Sequence, residues 1–317
     1  MDDRLRHDRS RRRDHRHAHR FAGQLLALPL RSALHPPREV GLDRVLRGLV
    51  ITDAWTDYNS PHFHGSDTIK DPSFFKDFKK TVKSKKILSV SRRAKNVLIH
   101  LSGDLTILVH MKMTGHLLYG DYDREDPFNR HIHLVLKLSN GKTLELCDAR
   151  KFAKVTLIQT SKMHETIHLK DIGPEPLEKN FTFEIFKERL LIRPQGKIKP
   201  VLLDQSIIAG VGNIYSDESL WRAGIYPEQK VIEIPDKKLK ELYVALLATL
   251  SRGIDFGGDS MSDYRNIDGK PGKFQEQHNA YRKTNTKCSK KGCRGTIVRI
   301  VVAGRGTHYC DKHQKLN

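Results

Sequence analysis

The chain has 317 residues, with 57 Lys and Arg against 37 Asp and Glu, a net charge of +20 and a pI near 9.8. Such a length holds more than one core, and such a charge favours a polyanionic partner, nucleic acid first. No apolar run approaches the 18 residues of a membrane span, and four cysteines, three of them in one terminal cluster, argue against a disulfide framework.

Residues 1–35 read as a disordered basic segment. Gln24 and Arg31 interrupt "FAGQLLALPLRSAL", and the aspartates of "MDDRLRHDRSRRRDHRHAHR" fit a transit peptide poorly. From about 48 to 160, within a domain spanning 36–172, runs such as "KILSVSRRAKNVLIHLS" and "RHIHLVLKLSNGKTLELCDARKF" alternate apolar and polar residues between turns, which predicts a β-sandwich or barrel. Cys147 is expected in its core. "GPEPLEKN" (173–180) carries two prolines and predicts a boundary.

Beyond it, residues 181–280 turn to helical spacing in "TFEIFKERLLIR", "KPVLLDQSII", "GNIYSDESLWRAG" and "PDKKLKELYVALLATLSRGI", the last opened by Pro235–Asp236. Residues 257–274 are glycine-rich and polar and predict a loop. The remainder, 281–317, holds Cys288, Cys293, Cys310 and His313, spaced C-x4-C-x16-C-x2-H. Two close pairs separated by a hairpin suit one structural, fully protein-ligated Zn2+. The hairpin is expected to join its strands through Gly304-Arg305-Gly306, with Arg305 held rigidly at the tip.

Read together, "RRAKNVLIHL", "HMKMTGHL", "CDARKFAK", "IGPEPL", "IKPVLLDQSIIAGVGNIYSDESLWRAGIYP", "DGKPGKF" and the terminal hairpin resemble the bacterial formamidopyrimidine-DNA glycosylase family over about residues 48–313. The resemblance implies an α+β multidomain fold: an N-terminal β-sandwich, a helix–two-turns–helix domain and a C-terminal β-hairpin zinc finger. It implies a monomeric cytosolic repair enzyme that binds damaged double-stranded DNA, excises oxidised purines and nicks by β,δ-elimination. Met113, Arg150 and Phe152 match the residues that fill the hole left by the flipped nucleotide; alone, Met113 or Phe152 would be read as core. Lys151 stands where the family carries arginine. Lys95 and Arg305 match its catalytic hairpin lysine and finger arginine, and His131, Lys199 and Asn213 match DNA-contacting positions. The loop 257–274 is expected to close over the extruded base as a lid.

The family's nucleophile is an N-terminal proline followed by a glutamate. Here the nearest echo is "HPPREVGLDRVLRGL", with Pro36, Pro37 and Glu39. A start or frame error, proteolysis near Pro36 or Pro37, or a lesion binder without full chemistry would each account for this, and the Arg-rich opening favours the first. The rival activities are an endonuclease VIII-type enzyme for oxidised pyrimidines, a non-catalytic lesion-binding homologue and a zinc-ribbon factor. "DGKPGKF" and the intact filling residues point away from the first, and "GVGNIYSDES" from the last.

Overall fold

The computed structural model describes residues 38–58, 67–260 and 264–316, with 38–40 as backbone alone. The basic segment 1–35, Pro36, Pro37 and the side chain of Glu39 therefore lie outside the described residues.

The first helix, α1 (Arg38–Leu46), leads into β1 (Ile51–Thr56), α2 (Pro72–Val82), β2 (Ile87–Arg93) and β3 (Asn96–Leu101). Then follow β4 (Leu105–His110), β5 (Gly115–Tyr119), β6 (Ile132–Leu138), β7 (Thr143–Asp148) and β8 (Lys154–Gln159). They form two antiparallel four-stranded sheets, ordered β1-β6-β7-β5 and β2-β3-β4-β8. Ile99, Ile107 and Val155 from one sheet meet Leu117, Leu134 and Leu146 from the other in a single core. Two sheets enclosing one apolar layer make a sandwich, not a barrel. Each such side chain contributes about 1.5–3 kcal/mol by leaving water. Cys147 is buried in a small neighbouring cluster, as expected.

Helix α2 is a departure from the strand-rich expectation. Its start is nonetheless written in "DPS": the Asp71 carboxylate accepts the Ser73 and Phe74 amides at 2.8 and 3.2 Å, and Pro72 presets the first turn. Phe78 and Val82, one turn apart, bury its inner face.

The second lobe contains α3 (Phe183–Leu191), α4 (Ile198–Leu203), α5 (Asn213–Ala223) and α6 (Asp236–Asp255) around Phe186, Leu202, Leu220, Leu242 and Leu246. The run "KPVLLDQSII" does not stay helical throughout. Asp204 accepts the Ser206 amide and hydroxyl at 2.9 and 2.7 Å, an Asx turn that stops α4. Segment 173–180 is no free tether: the Gly173 amide donates to Gln205 and the Ala209 amide to Pro174, at 2.8 and 3.0 Å.

The chain closes with an antiparallel pair, β9 (Ile297–Val302) and β10 (Arg305–Cys310). Val302 pairs with Arg305, so the turn is the two residues Ala303 and Gly304, both left-handed at φ 47° and 73°. A two-residue hairpin turn with positive φ at both positions matches strand twist. The expected Gly304-Arg305-Gly306 joint is corrected accordingly: Arg305 is the first residue of β10.

Candidate nucleic-acid interface

Lys95 sits in the two-residue turn between β2 and β3, where Arg93 pairs with Asn96. Its neighbour Ala94 adopts φ 53°, a conformation that non-glycine residues hold only when surroundings over-determine it. Buried Glu175 supplies that constraint from the linker. It accepts the Ala94 amide at 2.5 Å and pairs with Arg92 at 2.7 Å and Arg93 at 3.1 Å, while Arg92 also donates to the Ala94 carbonyl. Lys95 is exposed and lines the cleft between the lobes, its ammonium 3.9 Å from where a side chain on Gly212 would begin. Crowding by protein atoms, and then the positive Arg305, lower its pKa to about 8. Nearby His110 is pushed down to about 4 by burial and then by Lys112 and Lys95, and the Lys112 amide donates to its Nδ1.

Met113, Arg150 and Phe152 converge on the β-sandwich surface from two loops. Met113 is 67% exposed and Phe152 46%, although both are large and apolar. The Arg150 guanidinium lies 4.4 Å from the Phe152 ring centre and 3.5 Å from the Met113 sulfur. Lys112 and Lys151, beside them, both have left-handed backbones, at φ 55° and 56°. Fully buried Asp148 ties the loops together. It accepts the Thr114 hydroxyl and the Ala153 amide, the latter at 2.6 Å, while the Thr114 hydroxyl accepts the Arg150 amide at 3.2 Å. His131 is exposed beside this loop, its carbonyl accepting the Asp148 amide at 2.8 Å.

Lys199 is corrected. Expected at a phosphate, it is 0% exposed, and its ammonium donates to Asp217 at 2.6 Å, Thr307 at 2.8 Å and the Gly306 carbonyl at 3.2 Å. No donor remains to reach DNA, so Lys199 holds the finger beside Arg305. Asn213 acts in the same place: its side-chain amide donates to the Gly306 carbonyl at 3.1 Å, at the start of α5, which Gly212 caps without a side chain. Arg305 itself is exposed.

The acids of "YSDES" escaped the sequence reading of the site. Buried Asp217 accepts Lys199 and, at 2.9 Å, the His308 amide. Buried Glu218 accepts the backbone amides of Asn279, Ala280 and Tyr281 at 2.9–3.0 Å. Helix α5 thus grips both the finger and the segment entering it.

Cys288, Cys293, Cys310 and His313 form one cluster whose ligand atoms all lie within 4.8 Å. The Cys293 and Cys310 sulfurs are 3.6 Å apart, and His313 Nδ1 is 3.5 Å from both the Cys288 and Cys293 sulfurs. A tetrahedral zinc with bonds of about 2.3 Å to sulfur and 2.0 Å to nitrogen spaces its ligands by roughly 3.8 and 3.5 Å. The donor set fits. His313 Nε2 lies 3.0 Å from the Trp221 carbonyl, which orients the ring and leaves Nδ1 for a metal.

Between the lobes lies a cavity of about 300 Å3, walled by Leu42, Lys95, Leu117, Glu175, Tyr215 and Ile267, among others. Much of the expected lid is already docked beside it. Arg265 is buried, pairs with Asp126 at 2.7 Å and stacks on Phe128 at 4.4 Å; the Tyr119 amide of edge strand β5 donates to the Ile267 carbonyl, and Asn129 to the Gly269 carbonyl. Residues 264–274 are therefore a strap that covers a sheet edge, whereas 261–263 lie outside the described residues.

The model of the formamidopyrimidine-DNA glycosylase N-terminal domain matches residues 40–155, and that of the formamidopyrimidine-DNA glycosylase H2TH domain matches 172–265. The formamidopyrimidine-DNA glycosylase of Pelotomaculum thermopropionicum is 40% identical over 240 residues, covering 76% of this chain and 85% of the relative. That of Bacillus subtilis is 37% identical over 246 residues, covering 78% and 87%. The Lactococcus lactis Fpg in complex with DNA containing an abasic site superposes with a TM-score of 0.76 at 32% identity, over 88% of this chain and 97% of that one. Its complex with DNA containing Fapy-dG gives 0.74 at the same identity and coverage.

Proposed function

Because the chain belongs to the formamidopyrimidine-DNA glycosylase family, we propose that it is a base-excision repair enzyme that removes oxidised purines from duplex DNA and nicks the strand at the abasic site by β,δ-elimination. An enzyme acting on a base inside a duplex must take it out of the stack, shelter it and keep the gap from closing. In this reading the cavity between lobes 36–172 and 181–280 receives the extruded base. Met113 and Phe152 wedge into the gap, and Arg150 faces the orphaned partner base. His131 and the start of α5 at Asn213 hold phosphates. Lys95 and Arg305 bring cations to the sugar-phosphate that is cut. Cys288, Cys293, Cys310 and His313 would hold a structural zinc ion, which would stiffen residues 281–317 and so keep Arg305 in place.

The observation that carries this reading is the Met113–Arg150–Phe152 stack. Two large apolar side chains exposed against one guanidinium, each next to a left-handed lysine, form a shape that a bent duplex with an unstacked step can receive. Excision from duplexes holding 8-oxoguanine, a formamidopyrimidine or thymine glycol tests it. Faster release of the two purine lesions is expected; equal or preferential release of the pyrimidine lesion would transfer the chain to the endonuclease VIII-type activity. Neither cleavage nor retention of any of the three would end the reading.

A further inference from the structure

We propose that the Arg265–Asp126 ion pair latches the strap 264–274 across the inter-lobe cavity, making both side chains positioning residues for the extruded base. The proposal rests on the reading of damaged DNA as substrate, and it concerns base release, not strand cleavage.

The strap is rooted in one lobe and docked on the other. At its root, after α6, the Lys273 amide donates to the Phe256 carbonyl at 2.7 Å and the Phe274 amide to the Gly258 carbonyl at 2.9 Å. The Ser260 hydroxyl donates to the Tyr264 carbonyl at 2.6 Å and accepts the Gly272 amide at 2.8 Å, which closes the neck of the loop. Buried Phe274 packs on Tyr215 of α5, the ring centres 5.1 Å apart. The far end crosses to the β-sandwich, where Ile267 packs against the core. There Gly269, at φ 75°, lies so close that a side chain on it would begin 2.6 Å from the Asn129 amide nitrogen.

Between root and tip the strap lines the cavity with Tyr264, Arg265 and Ile267. Among the described residues, one backbone hydrogen bond joins it to edge strand β5, from the Tyr119 amide to the Ile267 carbonyl. Side chains supply the rest of the hold. Arg265 donates through Nε at 2.7 Å and Nη2 at 3.3 Å to the two carboxylate oxygens of Asp126, 139 positions away. A forked pair of this kind fixes direction as well as distance. Its side chains are only 8% and 16% exposed, and the guanidinium also lies 4.4 Å from the Phe128 ring centre. Asp126 is itself held, because it accepts the Phe128 amide at 2.9 Å.

An extruded base would rest against this wall, whereas an abasic sugar brings nothing to it. A shift of about 1 Å in a positioning element costs up to about 100-fold in rate. The latch should therefore govern release of the base and leave nicking of a site that is already abasic untouched.

The test compares the full chain with Asp126→Asn, which keeps an oxygen for the Phe128 amide and loses the charge. Release of 8-oxoguanine should fall about tenfold in kcat/KM, while nicking of a duplex with an abasic site made from uracil stays within about twofold. Trypsin should cut after Arg265 faster in the variant, since that side chain is no longer held in the interior. Arg265→Gln should slow release to the same degree, and the double variant should be no slower than either single one, because both act through one contact. Unchanged release, an equal fall in both activities, additive losses in the double variant or unaltered cleavage after Arg265 would each overturn the proposal and leave the repair reading intact. A wild-type chain that neither releases 8-oxoguanine nor nicks the abasic duplex removes the repair reading itself, and this proposal with it.

Discussion

The wedge loops and the finger both hold exposed functional side chains in place with buried acids, but by opposite means. On the β-sandwich, Asp148 is satisfied by neutral donors: the Thr114 hydroxyl and the Arg150 and Ala153 amides. At the finger, Asp217 is satisfied by a buried ammonium, and the hairpin it holds also depends on a Cys3His cluster. Neutral donors around one carboxylate lose little when a neighbouring exposed side chain changes. A buried ion pair is brittle, because removing either partner strands a charge in a low-dielectric interior. The finger should therefore fail in stability and the wedge loops in function alone.

Metal removal should have the largest effect, since structural zinc supplies on the order of 10 kcal/mol to small finger modules. Chelation is expected to abolish lesion-duplex binding while the β-sandwich stays folded. The signal is built in: Trp221 packs against Cys288, Cys310 and Ala280, and its carbonyl meets His313. Its emission should shift to the red as the finger loosens. Unaltered emission and binding after complete chelation would show that the cluster needs no ion.

Next comes the ion pair. Lys199→Ala leaves Asp217 buried without its cation and should cost about 3–5 kcal/mol in urea unfolding. Lys199→Met with Asp217→Leu should recover part of that loss. A cost below about 1 kcal/mol for the single variant would contradict the brittleness argued for this region. By contrast, Phe152→Ala should leave stability within about 0.5 kcal/mol, because nearly half of the ring is already in water. Its excision of 8-oxoguanine should slow about 30-fold, equivalent to roughly 2 kcal/mol. A stability loss larger than the kinetic one would make Phe152 a core residue after all.

The same contrast explains what could be read in advance. Cys288, Cys293, Cys310 and His313 were legible because their spacing is local, and α6 because Pro235–Asp236 and its period announce it. Lys199 was misplaced because a lysine in a strongly basic chain reads as a surface cation; its burial depends on Asp217 from another helix and Thr307 from the finger. Asp217 and Glu218 gave no sign of their role, since Asp217 meets the His308 amide 91 positions further on. Asp148 likewise meets Thr114, 34 positions earlier. Short-range pattern revealed the ligands and the helices, while the charges that aim Lys95 and Arg305 became visible only through tertiary contact.

The smallest effect belongs to the Glu175 clamp, because its partners Arg92 and Arg93 stay partly in water, unlike Lys199, and it separates the β2–β3 turn from both other regions. Burial alone would raise the Glu175 carboxyl, but the Arg92 guanidinium and the Ala94 amide outweigh it and hold the group below its ordinary value of 4.5. A carboxyl depressed in the folded state contributes stability that is fully present above 4.5 and disappears as pH falls through the lower folded value. Protonation would leave Arg92 and Arg93 facing a neutral acid and release the left-handed turn at Ala94, and Lys95 with it. The unfolding midpoint in urea should accordingly fall below pH 4.5 in the wild type. Glu175→Gln should begin lower at pH 7 and show a flatter acid limb, because the titrating group is gone while every other carboxylate remains. Nicking of an abasic duplex measured at pH 7 should be weakened in the same variant, since Lys95 is no longer held in position. Parallel acid limbs in the two proteins would mean that some other carboxylate governs acid stability, and undiminished nicking would mean that the turn holds Lys95 without the clamp.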